Sequence, residues 1–418
     1  MARHSRPAVL MSYLAFIFVG INAAVGGVLV LAQMSDYGVD RAIIGITFIT
    51  GSAGFVLGSL HSGPLIHRLG VRLALLTGCG TFILAGLYLA TRPPLAALLA
   101  VQLVTGYAAG ILESVLSAYI AALPDATTLL NRLHAFFGVG ALAGPVLATW
   151  IVGRAAWTVV YLVLAVACAA LVVGFALAYP RQLGAAGAAG AATPAPAAPQ
   201  EPDAPAVRPG GLLGIALRDR GVLAGAAMLA VYVGVELGVG NWAFSYLVQG
   251  RGLTQSLAGY AVSGYWLGLT VGRFLISPVA ARLGVTTSGL MYACLSGIAA
   301  AITLAWLAPS GIAAGVTLAL LGFFLGPVFP TTMAVAPRVT QARLAATGIG
   351  VMNAGSAVGG AALPWLAGAI TQGAGIGMLF PFILGLAALQ FATWVPIARR
   401  IRAVQPADGP DMELGATR

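Results

Sequence analysis

Long apolar stretches, interrupted by isolated charges, set the pattern of this chain. Residues 7–35, 42–67, 73–91, 93–112, 133–153 and 155–180 carry no Asp, Glu, Lys or Arg, and neither do 283–337 and 344–398. A helix needs about 20 apolar residues to cross the hydrocarbon layer of a bilayer. Each of the first six stretches can therefore cross once, and each of the last two twice. Pro309-Ser310-Gly311 and Gln372-Gly373-Ala374-Gly375 supply the breaks inside those two. The pattern predicts helical spans 1 to 6 at 9–35, 42–65, 72–91, 94–122, 129–153 and 156–179. Spans 7 to 12 follow at 220–249, 256–280, 286–308, 311–336, 342–370 and 376–399. Runs of this length without strand alternation satisfy their backbone hydrogen bonds as helices, not as a barrel. The expected class is an all-α polytopic membrane protein of twelve spans.

Residues 184–210 are a different material, Ala, Gly and Pro with few large side chains. Such a segment buries no core and is expected to be a flexible tether. It divides the chain into a six-helix bundle over 1–180, a cytoplasmic linker over 181–218, a second bundle over 219–402 and a cytoplasmic tail over 403–418.

Composition sharpens the class. Of 418 residues, 60% are hydrophobic and 8% charged, against about 25% charged in soluble domains. That excludes an ordinary soluble enzyme, a nucleic-acid-binding domain and a disordered chain. All 21 basic residues are Arg, and the formal charge is +10. Their placement writes topology. The N-terminus, the even-numbered connections, the linker and the tail hold sixteen: Arg3, Arg6, Arg68, Arg72, Arg132, Arg181, Arg208, Arg218, Arg220, Arg282, Arg338, Arg343, Arg399, Arg400, Arg402 and Arg418. The odd-numbered connections hold four, Arg41, Arg92, Arg154 and Arg251. Both termini are therefore expected in the cytoplasm, in the cell membrane, with the first span retained and not cleaved. The three cysteines, Cys79, Cys168 and Cys294, lie singly in apolar runs and read as packing residues. No nucleophile–base pair, metal-ligand cluster or phosphate loop stands out. The chain is read as not an enzyme, with no cofactor or metal, acting as a monomer. A sensor would be expected to carry a folded domain outside the membrane, and the longest hydrophilic segment is the linker.

The halves look related. Shifted by 214 positions, Gly58, Pro64, Arg68, Leu69, Gly70 and Val71 fall on Gly272, Pro278, Arg282, Leu283, Gly284 and Val285. Val19, Gly20, Val25, Gly26, Gly38, Gly45 and Gly54 also meet identical residues. Two homologous six-helix halves suggest a transporter with a site at the midplane. The string Gly63-Pro64-Leu65-Ile66-His67-Arg68-Leu69-Gly70-Val71-Arg72 resembles the G-x-L-x-D-R-x-G-R-R signature of the major facilitator superfamily, with His67 at the usual Asp. The resemblance implies a gating loop made by Gly63, Arg68, Gly70, Arg72 and, in the second copy, Arg282. Glu113-Ser-Val-Leu-Ser-Ala-Tyr119 in span 4 and Leu130-Asn131-Arg132-Leu133-His134-Ala135-Phe136 in span 5 resemble the fucose/galactose/glucose–proton symporter branch. So does Gly234-Val235-Glu236-Leu237-Gly238-Val239-Gly240-Asn241-Trp242 in span 7. In that branch the span 4 acid serves proton coupling or sugar binding, which the resemblance implies for Glu113. The branch's span 1 acid is absent from Asn22–Gly26, and Phe137-Gly138 replaces its span 5 Asn.

Nine of the eleven acids sit at predicted membrane edges or in tails. Two remain, Glu113 and Glu236, the latter about 24 Å from the inner end of span 7 at 1.5 Å per residue. An ionised carboxylate at mid-span costs about 2.5–3.5 kcal/mol or more, so both are candidates for proton coupling. Asn22, Gln102, Asn241, Trp242, Tyr265, Trp266 and Asn353 lie at similar depths and are candidates for binding a small polar solute. For each amide the alternative is interhelical hydrogen bonding, and for Trp242 and Trp266 it is packing. Asn22 coincides with Glu236 under the 214-residue shift. Trp150, Trp157, Trp306 and Trp394, near span ends, are assigned to the interfacial belt. Arg273 reads first as snorkelling to the cytoplasmic surface, with pairing to an acid as the alternative. His134 is a candidate relay partner for Glu113. The leading expectation is proton-coupled symport of a sugar or similar solute. Gly140-x3-Gly144-Pro145 resembles part of the drug–proton antiporter signature and keeps proton-driven export open.

Overall fold

The structure, a computed structural model, describes residues 6–179, 209–340 and 344–404. It is all helical over these residues. The first span is α1 (Arg6–Tyr37), followed by the single turn α2 (Arg41–Ile44) and the long α3 (Ile46–Ala90). Then come α4 (Leu95–Ala121), α5 (Ala126–Val152) and α6 (Thr158–Ala178). The second half contains α7 (Pro209–Ala216), α8 (Arg220–Ser245), which ends in a π turn at Tyr246–Gly250, α9 (Gln255–Arg282), α10 (Thr287–Leu307) and α11 (Gly311–Leu325). It closes with α12 (Val328–Val339), α13 (Ala345–Ala374) and α14 (Leu379–Val404). Among the described residues nine helical stretches are long and apolar enough to cross a membrane. One of them, Arg41–Ala90, has 50 residues and accounts for spans 2 and 3. The less apolar α9 and α13, with 28 and 30 residues, complete the twelve crossings.

Three boundaries differ from expectation. The connection predicted at 66–71 is helical except at Gly70, whose φ of 79° and ψ of 166° reverse the chain inside α3. Leu65 to Leu69 contain no helix breaker, so the helix runs on until the residue that alone tolerates this backbone. Gly284, its counterpart in the second copy, also has positive φ, 65°. Span 10 is two helices. Gly326 and Pro327 separate α11 from α12, because Pro has no N–H and its ring crowds the preceding turn. The predicted linker lies outside the described residues up to 208. From Pro209 the chain is the helix α7 and not a flexible tether, since Pro favours a first helical turn and α7 packs against α13.

The described residues form two units, 6–179 with Thr254–Ser263, and 209–253 with 264–340 and 344–404. In the first unit α3 packs against α4, and α1 against α5. A Cβ on Gly54 or Gly58 would collide with the α4 backbone at Leu103 or Tyr107, and one on Gly106 or Gly110 with α3. Lipid supplies no hydrophobic drive between helices, so close backbone approach provides the attraction. The second unit repeats the device. Gly268 and Gly272, the shifted images of Gly54 and Gly58, lie against the α11 backbone at Ala319 and Phe323. Gly140 and Gly144 sit on α1 at Ile17 and Ile21, so the string shared with antiporters serves helix packing here.

Candidate functional site

In the second unit the sequence places one acid and one Arg away from every membrane edge, and the fold brings them together. Glu236 lies in the middle of α8 and Arg273 about three turns before the end of α9. Arg273 Nη2 donates to Glu236 Oε1 at 3.1 Å. The side chains are 12% exposed for Glu236 and 29% for Arg273, so the pair is largely withdrawn from solvent without being sealed. Tyr265, one residue after α9 joins this unit, donates its hydroxyl to the Glu236 carbonyl at 2.9 Å. Tyr232 stands one turn before Glu236 on α8, fully buried, with its hydroxyl beside Glu236 and Arg273 but in well-formed hydrogen-bond geometry with neither. Arg273 Nε is buried without a partner. Gly326, at the break between α11 and α12, lies directly against the Arg273 backbone.

Removing two charges from water costs several kcal/mol per ion. Two other ion pairs sit at helix ends, Asp36–Arg92 at 2.8 Å and Asp219–Arg400 at 3.5 Å. An arrangement at mid-span that can exchange one proton, and one guanidinium donor set that is incompletely used, is chemically suited to switching. Arg273 therefore does not snorkel. One-dimensional depth put it within reach of the surface, but its face of α9 is turned to α8. Tyr232 gave no signal in the sequence beyond its spacing of four from Glu236.

The remaining candidates divide. Trp242 is fully buried and donates Nε1–H to the Pro364 carbonyl of α13 at 2.7 Å, tying α8 to α13. Trp266 is nearly buried, its ring over Gly240 and its N–H unpartnered. Asn241 is half-buried and Asn353 exposed. In the first unit Glu113 and Asn22 are half-buried, and Glu113 and His134 are each engaged by a neighbour. Gln102 belongs to a hydrogen-bonded knot between helices. It donates to Tyr161 Oη at 2.9 Å and accepts from Thr105 at 2.9 Å, while Gln33 also reaches Tyr161 at 3.5 Å. Two belt assignments are corrected. Trp394 is fully buried in α14. Trp157 is 4% exposed and donates to Asp36 Oδ2 at 2.8 Å. Both lie near helix ends by sequence, but their faces turn inward. Trp150 and Trp306, 58% and 40% exposed, keep the surface position. In the loop motif Gly63 and Arg68 are exposed, Arg72 half-buried and Arg282 exposed. Among the described residues none of these three arginines has an ion-pair partner.

Residues 11–364 match the profile described as Major Facilitator Superfamily. The chain belongs to this family of membrane transporters and is not an enzyme. Among its relatives is a glucose/galactose transporter of Brucella abortus, 26% identical over 80% of each chain. The 4-hydroxybenzoate transporter PcaK of Pseudomonas aeruginosa is 35% identical over 30% of this chain and 25% of that one. The fold is that of a bacterial homologue of the human lysosomal transporter Spinster, with a TM-score of 0.72, 12% identity and coverage of 98% and 100% of the two chains.

Proposed function

We propose that the protein is a proton-coupled symporter of a small hydroxylated solute, sugar-like in its polar groups, working by alternating access as a monomer in the cell membrane with both termini cytoplasmic. The observation that carries this reading is the mid-span pair of Glu236 with Arg273. Protonation of Glu236 neutralises it, opens the pair and changes the charge of the site by one. A solute that binds the protonated state better than the ionised one is then coupled to the proton by their differential affinity. The named cargoes of the relatives, glucose, galactose and 4-hydroxybenzoate, all bear hydroxyl groups, which supports the solute class. Glu113 is the second proton-coupling candidate, in the first unit. Asn22, Asn241, Trp266 and Asn353 are the candidates for solute contact.

The test uses reconstituted vesicles with an imposed inward proton gradient. Wild-type protein accumulates its solute. Glu236→Gln should abolish accumulation above equilibrium while retaining exchange of internal for external solute. Accumulation by this variant at the wild-type level removes Glu236 from the coupling scheme. Solute leaving as protons enter would establish export instead.

A further inference from the structure

We infer that the Glu236–Arg273 site receives the carboxylate of its cargo, so that the solute is a hydroxylated monocarboxylic acid and not a neutral sugar. The inference rests on the proposed transport reading and specifies its substrate class.

Four features of the second unit meet at this point. A guanidinium has five N–H donors in a fixed fork. That of Arg273 gives one bond to Glu236, and its buried Nε has no acceptor. The Tyr232 hydroxyl, fully buried one turn from Glu236, lies beside both Glu236 and Arg273 without completing a well-formed hydrogen bond to either, and so is a second donor at the same point. The ring of Tyr232 packs on Phe329, in the first turn of α12, at 5.8 Å between centroids. That first turn follows Pro327 and has no side-chain cap. The N-terminal end of a helix carries a partial positive charge, and broken helices of transporters aim such ends at anionic groups. Gly326 holds the break against the Arg273 backbone, and Phe329 in the first turn beyond it touches Tyr232, so the helix start adjoins the residues that carry the cation and the hydroxyl.

Charge decides which anion. The acidic and basic groups facing Glu236 are Arg273 from α9, with the hydroxyls of Tyr265 from α9 and Tyr232 from α8 itself. Helices α11 and α13 contain no charged residue, and the arginines of α12 and α14 lie in their last turns or near them. With Glu236 ionised the site is neutral. With Glu236 protonated it carries a single positive charge, which one carboxylate cancels. A phosphate ester brings up to two negative charges and meets one cation. The fork of Arg273 can hold a carboxylate through two parallel bonds, and protonation of Glu236 is what vacates it. Proton and acid anion then enter together as an electroneutral pair.

The experiment is binding to the purified full chain in lipid nanodiscs, at fixed pH and without a gradient. The probes are matched: gluconate against glucose, 4-hydroxybenzoate against 4-hydroxybenzamide, and glucose 6-phosphate. At least one acid should bind roughly tenfold or more tightly than its neutral partner, the size of a charge-assisted hydrogen bond. Arg273→Gln should remove that preference. Glu236→Gln should bind the acid as well as wild type or better. Tyr232→Phe, which deletes one hydroxyl, should weaken the acid several-fold and leave the neutral partner unchanged, and it serves if Arg273→Gln does not fold. Neutral partners binding as well as the acids overturns the inference. So do failure of every acid to bind, tighter binding of the phosphate ester, or full acid preference in Arg273→Gln. Acid preference without proton-driven accumulation would refute the coupling reading alone. Proton-driven accumulation of glucose would refute the carboxylate alone.

Discussion

At the scale of single residues the decisive quantity is the cost of an unpaired charge inside a membrane. Breaking a buried ion pair by removing one partner costs about 3–5 kcal/mol, whereas replacing both partners is often neutral. Arg273→Ala should therefore destabilise the protein by about that amount, because it leaves the Glu236 carboxylate, 12% exposed, without its cation. The double variant Glu236→Gln with Arg273→Gln should recover most of the loss. Thermal unfolding in detergent measures both, and a double variant no more stable than Arg273→Ala would show the two side chains to be uncoupled. Glu236 was legible in the sequence by eliminating every acid near an edge. The same elimination isolates Arg273, the one Arg outside the sixteen and four that mark topology. Its pairing was not legible, because periodicity gives depth along a helix but not which neighbour a face meets. Trp394 failed for the same reason. Its position near a span end suggested the interface, while its face of α14 is buried.

At the scale of elements, glycine carries more of the architecture than hydrophobic patterning does. Every face of a spanning helix is apolar, so the pattern cannot say which face packs. The internal repeat could, since a glycine kept in both copies marks a place where a side chain does not fit. Gly272 is such a place: a Cβ there meets the Phe323 carbonyl of α11. Gly272→Val should force α9 and α11 apart and cost about 1–3 kcal/mol or more. Gly63→Ala is the control, being exposed and helical with open space around it, and should be neutral or stabilising by up to about 1 kcal/mol. Melting temperature and the monodisperse fraction in size-exclusion chromatography check the pair, and equal behaviour of the two variants would contradict the packing argument. The repeat also located Gly70 and Gly284, whose positive φ values of 79° and 65° no side chain tolerates easily. It did not reveal that the helix persists to Leu69, since a Gly-rich string reads as loop until its neighbours are weighed. The break at Gly326-Pro327 follows from the missing N–H of Pro, but its position against Arg273 required the fold.

At the scale of the molecule, the scarcity of charge makes each exception informative. Four arginines occupy connections that the topology rule assigns outside. Three of them are visibly tied down. Arg92 donates to Asp36 at 2.8 Å from a left-handed backbone, φ 56°. Arg154 lies over the Trp150 ring at 4.8 Å. Arg251 donates to the Tyr246 hydroxyl at 2.7 Å and to the carbonyls of Ala308 and Trp306, the open end of α10. These arginines serve as clamps on helix ends, and their number does not argue against a cytoplasmic location of the other sixteen. Orientation then becomes measurable, because the native cysteines Cys79, Cys168 and Cys294 are free and buried. Pro309→Cys, in the connection between α10 and α11, should react with a membrane-impermeant maleimide in intact cells. Leu283→Cys, 73% exposed between α9 and α10, should react only after the membrane is opened. The reverse pattern would invert the topology, and with it the direction in which protonation of Glu236 drives the solute. The two labels thus test whether the charge distribution along the chain also sets the polarity of transport.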